Sequence, residues 1–274
     1  MPRYSGTEAR ATLDGRLRLR PPFGPRVENH DASDFQAQRR AWNPRRPDII
    51  ELLETADAVE IQPIYYGSNH TFLVTLDAGD RGRSFAVYKP ARGEYPLYDF
   101  PAGTLYKREA ATWLLDDELK WGLVPPTVVG DGRYGVGSVQ LFIEARSQGE
   151  VEVSELQRLV VLDILSNNAD RKAEHCLIGR DGTLWGIDHG LTFNTQPKLR
   201  TVLWHFAGQS LPPEMLRDLG RLRTALSRCE RPRVRQLAQL IARSEFVALR
   251  QRLDALLKDG VFPNPRYKSV PYRW

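Results

Sequence analysis

Cysteine is scarce in this chain of 274 residues: there are two, Cys176 and Cys229. Two cysteines without metal-ligand spacing make neither a disulfide framework nor a zinc cluster, and a reducing cytoplasm is the expected compartment. No run of eighteen apolar residues occurs, so no membrane-spanning helix is expected. The basic N-terminus is followed by no apolar stretch, so no secretory leader is expected either. Internal repeats are absent, and low complexity is confined to the first residues. Lysine is missing from residues 1–47, which hold ten arginines against five acids. That arm carries the whole formal charge of +5, and residues 48–274 are balanced. A net basic chain suggests nucleic acid at first sight. The split argues against it for the body; the arm reads first as a poorly ordered tail or a mis-assigned start, with partner docking as the alternative.

What is present reads as an ordinary globular body, with 41% hydrophobic and 27% charged residues. Pro21-Pro22, Gly24-Pro25 and Asn43-Pro44 break any long helix in residues 1–47, so the arm is read as irregular, with a short helix near Phe35–Trp42. From Asp48 a short helix is expected, then strands at Val59–Ile64, Phe72–Leu76 and Ser84–Tyr88. Residues 104–119 read as a helix with Thr104 as N-cap. Strands follow near Val124–Val129 and Gly137–Ala145. Ser154-Glu155-Leu156-Gln157 resembles a capping box opening an apolar helix to Leu165. A hairpin of His175–Ile178 and Leu184–Ile187 precedes a loop over 191–213 and a helical region over 214–259.

Three features carry chemistry. Lys89 ends a strand and Glu109 lies on the next helix, so the lysine can reach a phosphate while the glutamate holds it straight. Asp170 and His175 sit five positions apart just after an apolar helix. Asp188 follows thirteen positions later at the exit of a hairpin, in Asp-His-Gly. Phosphoryl transfer needs a cation on phosphate, a carboxylate at the acceptor and ligands for a divalent metal. Each residue also has a plainer use. Lys89 and Glu109 suit a solvated surface, Asp170 and Asp188 suit turns, and His175 suits a structural role as well as a metal. Asp163 and Arg171 are read as structural anchors of the polar loop, and Cys176 as a small core residue.

In order and separation these elements resemble the protein-kinase-like fold, and within it the phosphatidylinositol 3- and 4-kinase-related branch. Leu-Asp-Ile-Leu-Ser-Asn-Asn-Ala-Asp-Arg-Lys is similar to that branch's catalytic loop, and Ile-Asp-His-Gly to its metal-binding segment. The run from Val-Tyr-Lys-Pro-Ala-Arg-Gly-Glu to Tyr-Asp-Phe-Pro-Ala-Gly-Thr-Leu-Tyr-Lys-Arg-Glu resembles an uncharacterised bacterial PI3/4-kinase-like family, and the likeness spans about residues 50–257. It implies a two-lobed α+β fold, with a β-rich N-lobe holding one helix over about 48–138 and a mainly helical C-lobe over about 146–260. Residues 261–274 are left as a tail. It implies ATP as nucleotide and Mg²⁺ or Mn²⁺ as metal. Lys89, paired with Glu109 in the nucleotide site, would contact the phosphates, and Gly67, Ser68 and Asn69 would cover them. Gln140, Leu141 and Phe142 would lie at the adenine hinge, with apolar side chains against the base and backbone groups at its edge. Asp170 would orient or deprotonate the acceptor, and Asp188 and His175 would take the metal.

Three departures bear on this. His175 stands where kinases carry a metal-binding asparagine, and imidazole suits Mn²⁺ better than Mg²⁺. Lys172 replaces a histidine after Asp-Arg. It could steady the transferring phosphoryl while weakening Asp170 as a base. His189 replaces the phenylalanine of Asp-Phe-Gly. The acceptor is open among lipid, protein and small molecule. The loop Leu191–Leu211 offers only Lys198 and Arg200 to a phosphoinositide headgroup, which favours the other two. A nucleotide-binding pseudokinase is the rival reading, and a metal-dependent phosphoesterase built on Asp170, His175 and Asp188 is a third.

Overall fold

The computed structural model describes residues 16–19 (backbone only), 42–65, 69–146, 148–228 and 230–264. The expected arm helix near 35–42 lies outside these residues apart from Trp42. In chain order the strands are β1 (Arg16–Leu19), β2 (Asp57–Ile64), β3 (Thr71–Asp77), β4 (Arg83–Pro90), β5 (Thr127–Gly132), β6 (Gly135–Leu141), β7 (Ala145–Arg146), β8 (Gly149–Glu152), β9 (Cys176–Gly179) and β10 (Leu184–Gly186). The helices are α1 (Ile49–Thr55), α2 (Leu105–Leu119), α3 (Val153–Ser166), α4 (Pro213–Arg228), α5 (Pro232–Leu240) and α6 (Arg243–Asp259). They form a two-lobed α+β fold, a twisted sheet on one side and a helical body on the other. None of the helices is long and apolar enough to cross a membrane, among the described residues.

The N-terminal sheet runs β2-β3-β4-β6-β5, antiparallel throughout. Period-2 alternation decides its two faces. In β4, Ser84, Ala86, Tyr88 and Pro90 are buried, while Phe85, Val87 and Lys89 are half-buried on the other face. Ala86 and Tyr88 join Val74, Leu76, Val128 and Leu141 in one core, roofed by Ile49, Leu52 and Leu53 of α1 and by Trp42. Register places Leu73, Val87, Gln140 and Thr127 in one row across the other face, beside the row of Lys89 and Ser138. Within the segment read as an irregular arm, Trp42 is thus a core residue. β1 also pairs antiparallel with β8, with Arg16 opposite Glu152 and Arg18 opposite Glu150.

The helical lobe has its own core. Leu114, Leu115 and Leu119 of α2 pack there with Leu156, Leu159, Leu162 and Leu165 of α3 and with the apolar faces of α4, α5 and α6. Twelve of the fifteen α2 residues are buried, so its apolar stripe is only part of what it hides. The buried Arg108 donates to Glu245 at 2.7 Å and to the Thr192 carbonyl at 2.6 Å. It is therefore committed to α6 rather than to its neighbour Glu109.

Two expected helix starts differ. Thr104 occupies the N-cap position, but its hydroxyl donates to the Pro101 carbonyl, and Glu94 accepts from the Tyr106 N–H at 2.8 Å instead. The box expected at Ser154 does not form, because α3 already begins at Val153 with Glu152 at its N-cap. Propensity located these ends to within a residue or two, but the cap on α2 comes from Glu94, a partner that only folding supplies.

Asp116 near the end of α2 gives a stability prediction. Its carboxyl accepts from the Leu123 and Val124 N–H groups at 2.7 and 2.9 Å, and its other oxygen is buried without a partner. Burial pushes its pKa up to about 7, against the two hydrogen bonds that favour the anion. A folded-state value above the unfolded one means stability that is full below about pH 4 and declines as pH rises through 7. Asp116→Asn keeps an accepting oxygen and removes the ionisation. Denaturant midpoints should match wild type below about pH 4 and exceed it by a growing margin up to pH 8. A variant weaker than wild type at both ends of that range would contradict this account.

Candidate active site

One end of each supporting element meets at the face of the sheet that looks onto α2. Lys89 stands near the end of β4 on the half-buried face, and Glu109 stands one turn into α2. The lysine Nζ donates to Glu109 Oε1 at 2.5 Å and to Asp188 Oδ1 at 2.8 Å. Burial alone would lower the lysine pKa, but the charges of Asp188 and Glu109 outweigh it and hold it raised. Glu109 uses its second oxygen to accept from the His189 N–H at 2.8 Å. One buried carboxylate thus anchors both the lysine and the turn that carries Asp188.

Asp188 has φ +59, in the left-handed region that an aspartate tolerates better than most residues. Its side chain remains 47% exposed. Burial works against its charge, yet Lys89 and His175 more than compensate, and its pKa is lowered. Its Oδ2 lies 3.2 Å from His175 Nε2. The other ring nitrogen of His175, Nδ1, is 3.0 Å from the Asp170 carbonyl, which can only accept, so Nδ1 carries the proton. Burial lowers the His175 pKa despite the pull of Asp188, which favours the neutral ring with Nε2 as an acceptor.

Asp170 and Lys172 form an ion pair at 3.0 Å. Lys172 pulls the Asp170 pKa down, as expected, but burial is the larger effect and the net direction is up. The expected weakening of Asp170 as a base is therefore not the net outcome. The loop is held from beneath by Arg171, which is fully buried. Its Nε and Nη2 donate to the two oxygens of Asp163 at 2.8 and 2.9 Å, and Nη1 donates to the His175 and Ile187 carbonyls at 3.1 and 2.9 Å. Nη2 also lies 2.7 Å from His189 Nε2. All five guanidinium donors are used. The His189 ring is wholly buried and driven neutral by burial, so Nε2 accepts from Arg171 and Nδ1 is a buried atom without a partner. Here the histidine at the phenylalanine position is a polar link.

Lys89, Glu109, Asp170, Lys172, His175 and Asp188 thus form one continuous chain of contacts. Asn69 stands apart from it. Its side chain accepts from the Tyr95 N–H at 2.7 Å, while the next residue, His70, donates its N–H to the Gly93 carbonyl at 3.0 Å. A side chain at Gly93 would collide with His70 at 2.4 Å, so this close approach requires glycine. Gly67 and Ser68 lie outside the described residues. At the strand exit, Leu141 is buried in the sheet core and its N–H donates to the Pro126 carbonyl at 2.8 Å. The Phe142 N–H donates to Phe85 O at 3.0 Å, and the two rings meet edge-on at 6.0 Å. The Gln140 side chain donates to Thr127 at 2.9 Å.

Some contributors had no distinct signal in the sequence. Asn168 donates to Asp163 and accepts from the Asp170 N–H, both at 2.9 Å. Asn167 donates to the Asn194 and Gln196 carbonyls at 2.8 and 2.6 Å and accepts from the Lys198 N–H. A polar Asn-Asn pair after an apolar helix is the only hint, and it fits any turn. Among the described residues, no group of three or more His, Cys, Asp or Glu side chains is gathered as for a metal.

Comparison with known proteins places this geometry in context. No family model matches the chain. Protein Rv2133c of Mycobacterium tuberculosis (strain ATCC 25618 / H37Rv) is 34% identical over 269 residues, covering 83% of this chain and 95% of that protein. The chain belongs to the Rv2133c family. This family member also matches phosphatidylinositol 4-kinase gamma 4 of Oryza sativa subsp. japonica, at 32% identity over 131 residues, 39% of this chain and 23% of the rice protein. Among solved structures, the Golgi casein kinase with Mn/ADP bound aligns at TM-score 0.56 and 15% identity, over 82% of this chain and 78% of that one. Hydra Fam20 with sugar aligns at TM-score 0.51 and 16% identity, over 78% and 87%. These likenesses establish a kinase-like fold for the Rv2133c-family chain.

Proposed function

We propose that this chain is an ATP- and divalent-metal-dependent phosphotransferase of the PI3/4-kinase-like type, acting on a hydroxyl of a protein or small molecule. The observation that carries the reading is Lys89 bridging Glu109 and Asp188, with Nε2 of His175 3.2 Å from the other oxygen of Asp188. Lys89 already balances one oxygen of Asp188, and the other oxygen and the His175 Nε2 are an oxygen and a nitrogen donor close enough to share a divalent metal. The hydrogen bond from Nδ1 to a carbonyl is the outer contact that orients a ligating histidine. When bound, the metal would neutralise phosphate charge, and the imidazole favours Mn²⁺ over Mg²⁺.

The chain's own residues supply the rest. Lys89, held by Glu109, would clamp phosphate oxygens. Asp170, its pKa raised by burial, would orient the acceptor hydroxyl and accept its proton. Lys172 beside it would balance charge on the moving phosphoryl. Lys198 pairs with Asp99 at 2.7 Å, so this cation of the 191–211 loop is already matched and supports the reading away from phosphoinositides. A phosphoesterase would leave Lys89 and Glu109 idle, whereas both are joined to Asp188. The substitutions His175 and His189 favour a pseudokinase as the second reading.

ATP turnover measured with Mg²⁺ and with Mn²⁺ separates these. Turnover in at least one metal is expected, higher in Mn²⁺. Asp170→Asn should lower it by about 10²–10⁴-fold, the usual worth of a general base. Tight nucleotide binding with no turnover in either metal returns the pseudokinase.

A further inference from the structure

The row across the cleft face of the sheet holds a polar side chain where apolar ones are expected against a nucleotide base. Gln140 lies opposite Val87 on β4 and opposite Thr127 on β5, and Val87 in turn lies opposite Leu73 on β3. Antiparallel partners share a face, and so do residues two apart in one strand. Gln140 therefore looks out on the same side as Lys89, two residues before Phe142 at the strand exit. It is 7% exposed.

Its amide has a defined orientation. The Thr127 hydroxyl donates to the Pro125 carbonyl at 2.7 Å, which spends its single proton. Thr127 can then only accept from Gln140, so the Gln140 NH₂ must be the group 2.9 Å away. Reversing the amide would set two acceptors against each other. The amide oxygen is therefore turned from Thr127. It has no donor among the described residues, and it is not among the buried atoms sealed without a partner. This leaves a preset hydrogen-bond acceptor, with no proton to give, at the inner end of the row above the phosphate-holding lysine.

The geometry points to Gln140 as the residue that selects the base, through an oxygen that accepts from a 6-amino group and opposes a 6-oxo group. The inference rests on the reading of the cleft as a nucleotide site and adds which purine it takes. An adenine nucleotide donates from its amino group to this oxygen. Inosine and guanine nucleotides place a carbonyl there, and two acceptors meet. A site built around one hydrogen bond rejects the analogue lacking it more strongly than an apolar pocket rejects a change of size. Thr127 acts through Gln140 and is a positioning residue.

The test compares ATP with inosine triphosphate, which carries oxygen in place of the 6-amino group. Dissociation constants are measured by calorimetry on the full chain with Mn²⁺. The wild type should bind ATP at least about tenfold tighter than inosine triphosphate. Gln140→Leu keeps the bulk and removes the acceptor, and Thr127→Val frees the amide to turn its NH₂ outward. In each variant the preference should fall at least about fivefold, more through tighter inosine triphosphate binding in Thr127→Val. Thermal midpoints confirm that a variant is folded, and either one suffices. Wild-type discrimination that persists unchanged in a folded variant overturns this inference and leaves the phosphotransferase reading intact. Failure of the wild type to bind either nucleotide overturns both.

Discussion

Asp188→Asn should lower turnover by more than about 10²-fold and weaken the apparent affinity for the activating metal, with nucleotide affinity in the absence of metal little changed. The floor comes from outer contacts of metal ligands, whose loss alone costs about 10–100-fold. Loss of the ligand's own charge should exceed that. Asparagine is the informative replacement because it tolerates the left-handed backbone found at φ +59, so the turn is not the thing being tested. The amide can still approach Lys89, and Glu109 remains 2.5 Å from that lysine, so the phosphate clamp should survive. A metal titration of the turnover rate reads the effect. Undiminished turnover in the variant would remove Asp188 from the mechanism, and with it the role given to His175.

The second large effect is expected at a residue that touches no substrate. Arg171→Lys should reduce both stability and turnover. A lysine brings three donors to a place where five are used, so at least two of the contacts to Asp163, to the carbonyls of His175 and Ile187 and to the ring of His189 are lost. Asp163 keeps Asn168 and the His175 carbonyl keeps the Ile187 N–H as donors. Each unmet buried group costs about 1–3 kcal/mol. Even one such group is a sizeable part of the ~5–15 kcal/mol that holds a typical domain together. Because Arg171 holds the backbone at His175 and at Ile187, next to Asp188, turnover should fall in the molecules that remain folded. Urea unfolding and kinetics below the transition separate the two losses. A variant with wild-type midpoint and wild-type rate would show that the guanidinium fork is dispensable. Arg171→Ala is a poorer test, since an unpaired buried Asp163 costs about 3–5 kcal/mol by itself.

The same residue shows how far the sequence could be read. That Arg171 and Asp163 are anchors rather than reactants followed from their place on an apolar helix and beside Asp170. That one guanidinium joins the α3 helix, the histidine loop and the exit of β10 could not be known, because its five acceptors are spread over 163–189 and three of them are backbone or ring atoms. Glu109 is similar. Its pairing with Lys89 was expected from a strand followed by a helix, whereas its second bond, to the His189 N–H, needed the two lobes to be placed. For Lys172 the sign of its influence on Asp170 was legible, but burial outweighs it, and burial belongs to the fold.

Thr104 and Ser154 mark the limit of local rules. Both are good capping residues near true helix starts, and neither caps, because a distant carboxylate takes the N–H at the first helix and the second helix already begins one residue before Ser154. Trp42 is a clearer case. Nothing in a stretch rich in arginine and proline distinguishes a tryptophan that closes the sheet core from one in a solvated arm.

By itself the sequence determined the alternation that makes the sheet, the apolar stripes that make the helical lobe, and the order lysine, glutamate, aspartate, histidine, aspartate. These are local periodicities and spacings, and they need no knowledge of what lies across the chain. Tertiary structure alone decided which nitrogen of His175 carries its proton, which way the Gln140 amide faces, and that Asp188 sits between Lys89 and His175. Those properties depend on partners far along the chain and on the removal of water, and both arise only when the sheet closes over α2 and α3.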